Sequence, residues 1–358
     1  MHPYPGSVGV VLNRDHPEGG KLAERLRRFA DYVGDQSLLY QTLARAAAED
    51  DAAVAILADA PYSQPPANLL FAAVQYLLLE GAGPRLASHY PAVAGPGAEP
   101  EGDPVAAFHE FLVEHRDRIT ALVASRRVQT NEVRRCTALL PAFTAARDPI
   151  LPLALIEVGA SAGLNLLFDR YHYDYGTVES GPVRSPLTLT CEIRSGDPPI
   201  PVPVPEVVAR VGLDLHPIDV ADPDAVRWAR SLIWPEQLDR VERFETAVAI
   251  ARDDPPTLLQ GEALELLPRA IESSPVEASL VVYHSFVLNQ WTAEDRGRLD
   301  DLLTRAANQR PIDRISVEML EPGAEYADIT HTRYQGGKSE PRRLGTAHYH
   351  GVWLQWEA

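Results

Sequence analysis

The chain has 358 residues, with 33 Lys+Arg against 50 Asp+Glu, a formal charge of −17, and 45% hydrophobic residues. At about 150 residues per domain, this length means two domains or one decorated α/β unit, large enough to bury a core without disulfide or metal staples. The acidic balance counts against a general binder of nucleic acid or anionic membranes, which needs a basic face, and the ordinary composition excludes a disordered, collagenous or coiled-coil chain.

The stretch Met1 to Gly20 is rich in Pro and Gly, with no apolar run behind a basic patch, so no secretory leader is expected there. Residues 22–147 read as helical. Leu22, Leu26, Phe29, Ala30 and Val33 recur at helical spacing, and Leu38, Leu39, Leu43 and Ala47 continue it. Asn68 to Glu80 is a further helix, ended by Gly81, and its apolar run is too short and mixed to span a bilayer. After a Pro/Gly/Glu-rich loop at 91–104, a stripe runs from Val105 through Phe108, Phe111, Leu112, Ile119, Leu122 and Val123. Asn131 to Thr144 closes a helical domain, 1–147, and no strand is expected before residue 150. The two cysteines, Cys136 and Cys191, form no CxxC pair, so a disulfide scaffold and a zinc knuckle are excluded and no metal is expected. A cytoplasmic location follows from these readings.

Beyond residue 150 the period changes. Short apolar runs at 153–158, 207–215, 257–260, 279–283 and 314–320 alternate with amphipathic segments such as Glu294 to Ala307. That alternation predicts a parallel sheet with crossovers over 148–358. Tyr326–Tyr334 and Thr346–Trp356 flank a Gly/Pro loop and predict a C-terminal antiparallel hairpin. The Pro-rich, poorly periodic segment near 185–205 reads as an insertion.

The most informative stretch runs from Leu153 through Glu157, Gly159, Ser161 and Gly163 to Asn165: an apolar strand ending in an acid, a turn of small residues, then a helix. Small residues let a ligand approach the backbone, and a helix start offers free N–H groups. A dinucleotide fingerprint, G-x-G-x-x-G, is not matched. Gly159-Ala-Ser161-Ala-Gly163 does match G-x-S-x-G, the nucleophile elbow of serine hydrolases, with Glu318 or Asp328 and then His331, His348 or His350 following in the right order. The same residues resemble the first motif of class I S-adenosylmethionine-dependent methyltransferases, with Ser161 in place of the middle glycine.

That resemblance covers about residues 148–358 and implies a Rossmann-like, mostly parallel sheet finished by an antiparallel hairpin. It implies S-adenosylmethionine as cofactor, with Glu157, Gly159, Ser161 and Gly163 at its methionine part. It implies Asp214, with Asp219 as rival, at the ribose, and Glu262 at the adenine. His284, at the end of the fourth strand, becomes the base or substrate orienter for methyl transfer to a small-molecule O or N acceptor, with Ser285 and Asn289 as companions, or else is a hydrogen-bonded buried histidine. The helical domain becomes a lid. A non-catalytic cofactor-binding protein of the same fold is the third reading. No nucleic-acid or membrane partner is expected, and the sequence does not set the oligomeric state.

A second resemblance concerns the whole chain. The runs from Gln129 to Cys136, Leu155 to Leu166 and Asp169 to Gly176 resemble an uncharacterised, mainly actinobacterial family, the domain of unknown function numbered 2332.

Several polar groups carry two readings. Either Thr130 or Asn131 simply caps the next helix, or the polar run Gln129, Thr130, Asn131 and Glu132 faces the cofactor loop. Asp169 and Arg170 read as an ion pair, and Tyr171, Tyr173 and Tyr175 as packing residues. His348 and His350 are expected on one face of a strand, in a role without metal.

Overall fold

The structure is a computed structural model that describes residues 19–321 and 324–358. The stretch Met1–Gly20, read above as carrying no leader, therefore lies almost wholly outside the described residues.

Helices come first: α1 Gly19–Val33, α2 Leu38–Ala47, α3 Asp51–Leu57, α4 Pro66–Leu79, α5 Pro84–Ala87, α6 Pro91–Ala94, α7 Pro104–Glu114, α8 Arg116–Ser125 and α9 Cys136–Ala146. Then come β1 Leu153–Val158, a 3-10 segment Leu164–Arg170, β2 His172–Asp174, β3 Glu179–Ser180, β4 Thr188–Thr190, β5 Glu192–Ser195 and β6 Val207–Asp214. They are followed by α10 Pro223–Ser231, α11 Leu238–Asp253, β7 Thr257–Gln260, α12 Ala263–Glu272, β8 Ser279–Ser285, α13 Ala293–Ala306 and β9 Ile312–Glu318. The strands β10 Ala327–Gln335, β11 Lys338–Ala347 and β12 Trp353–Trp356 complete the described chain.

Two compact units result. One holds the described residues up to Thr130 together with Asp222–Glu245; the other holds Asn131–Ala221 and Thr246–Ala358. The division is thus not a single cut at residue 148. The helical unit is built around α4, which is buried on nearly every face because it is apolar all round. Phe29, Tyr40, Phe71 and Phe108 stack against one another in its core. Residues 222–245 belong here for a polar reason. Gln75 on α4 is buried, and its Nε2 donates to the carbonyls of Ser231 (3.1 Å) and Ile233 (2.8 Å) at the end of α10. A buried amide without those acceptors would cost about 1–3 kcal/mol.

The second unit is a nine-stranded, mostly parallel sheet in the order β5-β12-β11-β10-β9-β8-β1-β6-β7. The strands β7, β6, β1, β8 and β9 run parallel. Numbered as they occur in the chain, these five lie 3-2-1-4-5, so the order reverses between β1 and β8. The inner strands β1 and β8 are buried at every residue because both faces are covered. On one face Ala154, Ile156, Val158, Leu280 and Val282 pack with Leu299 and Leu303 of α13. On the other, Phe143 of α9 stands edge-on to Tyr283 at 5.0 Å. That contact places α9 with the sheet, although its periodicity reads as the last helix of the N-terminal domain.

Three local expectations are corrected. The helix expected after β1 is a seven-residue 3-10 segment, so it offers no long N-terminus. The segment 185–205, read as an insertion, carries two short strands: β4 joins a small sheet β3-β2-β4, and β5 pairs in parallel with β12 at the edge of the large one. The C-terminal hairpin is a three-stranded meander, turning first at Gly336-Gly337 and again between Ala347 and Trp353. His348 and His350 lie in that second turn, not on a strand, and the His350 N–H donates to His348 Nδ1 at 3.0 Å. The three tyrosines do pack. Each is buried, with its hydroxyl on a backbone carbonyl: Tyr171 on Leu164, Tyr173 on Phe168, Tyr175 on Thr137.

Candidate functional site at the reversal of strand order

In open α/β sheets, ligands bind outside the carboxyl ends of the strands where the order reverses. Here that point is shared by the loops after β1 and β8. The first runs Gly159-Ala-Ser161-Ala-Gly163. Gly159 has φ +74, and a Cβ there would stand 2.4 Å from Val287 Cγ2. Gly163 has φ +69, and a Cβ would meet Pro256 Cγ at 2.7 Å. Both glycines are required by the protein's own packing. Ser161 lies between them with φ 51, a left-handed conformation that costs a side-chain-bearing residue about 1–2 kcal/mol.

Hydrogen bonds hold Ser161 there. Its N–H donates to Asp214 Oδ2 at 2.7 Å, and its carbonyl accepts from Ile218 N–H at 3.1 Å. Asp214 Oδ1 accepts from His216 N–H at 2.8 Å, so the acid ending β6 ties the loop after β1 to its own turn. The next amide, Ala162 N–H, donates to Asn131 Oδ1 at 3.2 Å. Buried beside these bonds, Ser161 Oγ and Asn131 Nδ2 have no hydrogen-bond partner. Such groups are few in native proteins, and each calls for an explanation.

Glu157, at the end of β1, is 2% exposed. Burial raises its carboxyl to about 8, while Tyr283 and Asn165 facing it oppose the shift. The Asn165 amide approaches at 3.5 Å. Glu157 pairs in register with Tyr283, and Val158 with His284. Parallel partners point the same way, so the Glu157 carboxyl and the His284 ring leave the sheet on opposite faces. His284 has no exposed surface. Its Nδ1 lies 2.7 Å from Glu318 Oε1, and its Nε2 is buried with no partner.

The other candidates separate. Glu132 caps the short turn after it, its Oε1 accepting from Arg134 N–H at 3.1 Å, while Asn131 Oδ1 accepts from Ala162 N–H of the loop. Gln129 falls in the helical unit and is half-buried. Ser285 is buried, and its carbonyl accepts from Arg135 at 3.4 Å. Asp219, Glu262 and Asn289 are exposed; Asp219 Oδ1 holds the Ala221 N–H at 2.8 Å. His331 Nε2 lies 2.8 Å from Asp313 Oδ1 within the sheet. A cavity of about 650 Å³ lies toward the other end of β6, lined by Asp169, His172, Val183, Val207 and Arg210, and includes none of these candidates.

Sequence reasoning missed three residues here. Arg135 is buried, donates to the carbonyls of Tyr349 and Ser285, and stacks on Phe286 at 4.2 Å. Phe286 has φ 58, rare for a bulky side chain. The sequence marks Glu318 only as a possible acid of a hydrolase. The signal that finds it is an acid at a strand's carboxyl end, which Glu157, Asp214 and Glu318 share.

This architecture defines a mixed α/β protein with a large, mostly parallel sheet. The chain belongs to a family of uncharacterised proteins conserved in bacteria (DUF2332), matched over residues 23–356. No curated protein and no solved structure matches it. Among the described residues, no helix is long and apolar enough to cross a membrane.

Proposed function

We propose that the sheet unit binds S-adenosylmethionine at the reversal point and transfers its methyl group to a small-molecule O or N acceptor. The observation that carries this reading is the Ser161 loop: a strained turn of small residues at the reversal point, with two buried polar atoms left unpartnered. The 3-2-1-4-5 order of the parallel strands supports a class I methyltransferase-like fold. When bound, the cofactor supplies a methyl group on a cationic sulfur. Glu157, Gly159, Ser161 and Gly163 hold its methionine part, Asp214 its ribose and Glu262 its adenine. A carboxylate has about four acceptor positions, so Asp214 can serve the loop amides and a hydroxyl together. His284 Nε2 takes the acceptor's proton. Alignment of the reacting atoms supplies much of the rate, so no nucleophilic side chain is required.

Isothermal titration with S-adenosylhomocysteine tests the reading. Binding below millimolar is expected, and no binding at millimolar ligand sinks it. If the ligand binds but labelled cofactor yields no methylated product in cell extract, the non-catalytic reading replaces it.

A hydrolase reading draws on the same strained Ser161. It requires a base, and Ser161 Oγ has no hydrogen-bond partner. A fluorophosphonate probe that labels wild type but not Ser161→Ala would restore it.

A further inference from the structure

The loop after β8 shows more than a histidine at a strand end. Glu318 ends β9 and is 3% exposed. Its Oε1 accepts from Val287 N–H at 3.0 Å and Leu288 N–H at 3.2 Å, and lies 2.7 Å from His284 Nδ1. The Phe286 N–H donates to the Val317 carbonyl, one residue earlier on the same strand, at 3.1 Å. Residue 286 is thereby held from both sides, and its backbone is left-handed with φ 58. A phenylalanine does not adopt that conformation by preference, so the surrounding bonds impose it. The second Glu318 oxygen, Oε2, and His284 Nε2 are buried and unpartnered.

We propose that Glu318 is the positioning residue of this edge: one oxygen fixes the His284 tautomer and holds the left-handed Phe286 turn. A carboxylate can accept several N–H bonds and donate none, so it selects the imidazole form that carries its proton on Nδ1. That form turns a lone pair, not a proton, to the far side of the ring, as a general base needs. The turn sets the Phe286 ring against the Arg135 guanidinium, at the mouth of the same two strands. The bearing on methyl transfer rests on the function proposed above; the tautomer and the turn do not.

The 358-residue chain, labelled with 15N-histidine, gives the test. Long-range proton–nitrogen spectra, assigned with His284→Gln, should show His284 protonated on Nδ1 and bare on Nε2. In Glu318→Leu no acceptor faces Nδ1, so the proton should move to Nε2. A wild-type His284 protonated on Nε2, or an unchanged tautomer in Glu318→Leu, overturns the proposal. Should that variant not fold, wild type alone decides. Its Val287 and Leu288 amides should exchange at least tenfold slower than unstructured-chain rates, and unprotected amides overturn the clamp. If wild type shows the expected tautomer yet binds no S-adenosylhomocysteine, the function above fails and the positioning role stands.

Discussion

The loops after β1 and β8 are two versions of one construction. Each follows a fully buried parallel strand, contains one non-glycine residue in left-handed backbone, and is tied down by an acid at the end of the next strand outward. Asp214 on β6 holds the Ser161 loop; Glu318 on β9 holds the Phe286 loop. The difference is burial. Asp214 is half-exposed, and each of its oxygens takes one amide. Glu318 is almost fully buried, loads three donors on one oxygen and leaves the other bare. A half-exposed acid can be repaired by water when a partner is lost; a buried one cannot. The second loop is therefore the more brittle, and the first is the one a ligand can enter by exchanging bonds with solvent.

The largest effect tests the acid beneath the first loop. Glu157 has its carboxyl raised to about 8, against an ordinary value near 4.5. The folded state keeps the proton longer than the unfolded one, so this contribution is full below about 4.5 and is lost as pH rises toward 8. The loss is on the order of several kcal/mol. Denaturant melts from pH 5 to 8.5 should show wild type weakening and Glu157→Gln much flatter. Cofactor affinity should rise over the same range, because an ionised carboxyl attracts an ammonium and a neutral one does not. A stability difference between wild type and Glu157→Gln that stays constant through this window would show that Glu157 does not titrate there.

Next comes the buried clamp. Glu318→Ala strands two amides and an imidazole, and should lose about 3 kcal/mol or more in chemical denaturation. Asp214→Ala should lose less, about 1–2 kcal/mol, since water can reach its amides. Equal losses would remove the contrast drawn above. Gly159→Ala should cost about 2–3 kcal/mol, combining left-handed strain with the clash against Val287. The smallest effect has the opposite sign. Ser161→Gly relieves the strain and removes a buried unpartnered hydroxyl, at the cost of glycine's extra chain entropy. A gain of about 1 kcal/mol is expected, with weaker S-adenosylhomocysteine binding by calorimetry. A variant that gains stability and keeps full affinity would mean that Ser161 does not touch the ligand.

Much of the parallel sheet was legible. The runs at 153–158 and 257–260 coincide with β1 and β7, and those at 207–215, 279–283 and 314–320 fall within two residues of β6, β8 and β9. Continuous apolar runs between polar turns leave few alternatives. The helix expected after Gly163 was not, because Leu164 to Arg170 satisfies the helical pattern while Tyr171 and Tyr173 pull its carbonyls into their own hydrogen bonds. Short strands such as β4 escaped because three residues carry no periodicity. Glu157, Ser161, Asp214 and His284 were legible as strand-end and loop residues. Arg135 and Phe286 were not, since nothing local marks a cation or a ring whose partners are 150 residues away.

The sequence alone determined the change of period near residue 150, the parallel strands and the small-residue turn after the first of them, because these depend on neighbours in the chain. Only the tertiary structure decided which strands adjoin, that Glu157 and His284 leave opposite faces, and that Asp214 and Glu318 clamp the loops of their neighbours. Those outcomes depend on register between strands far apart in the chain, and a one-residue slip would send every side chain to the other face.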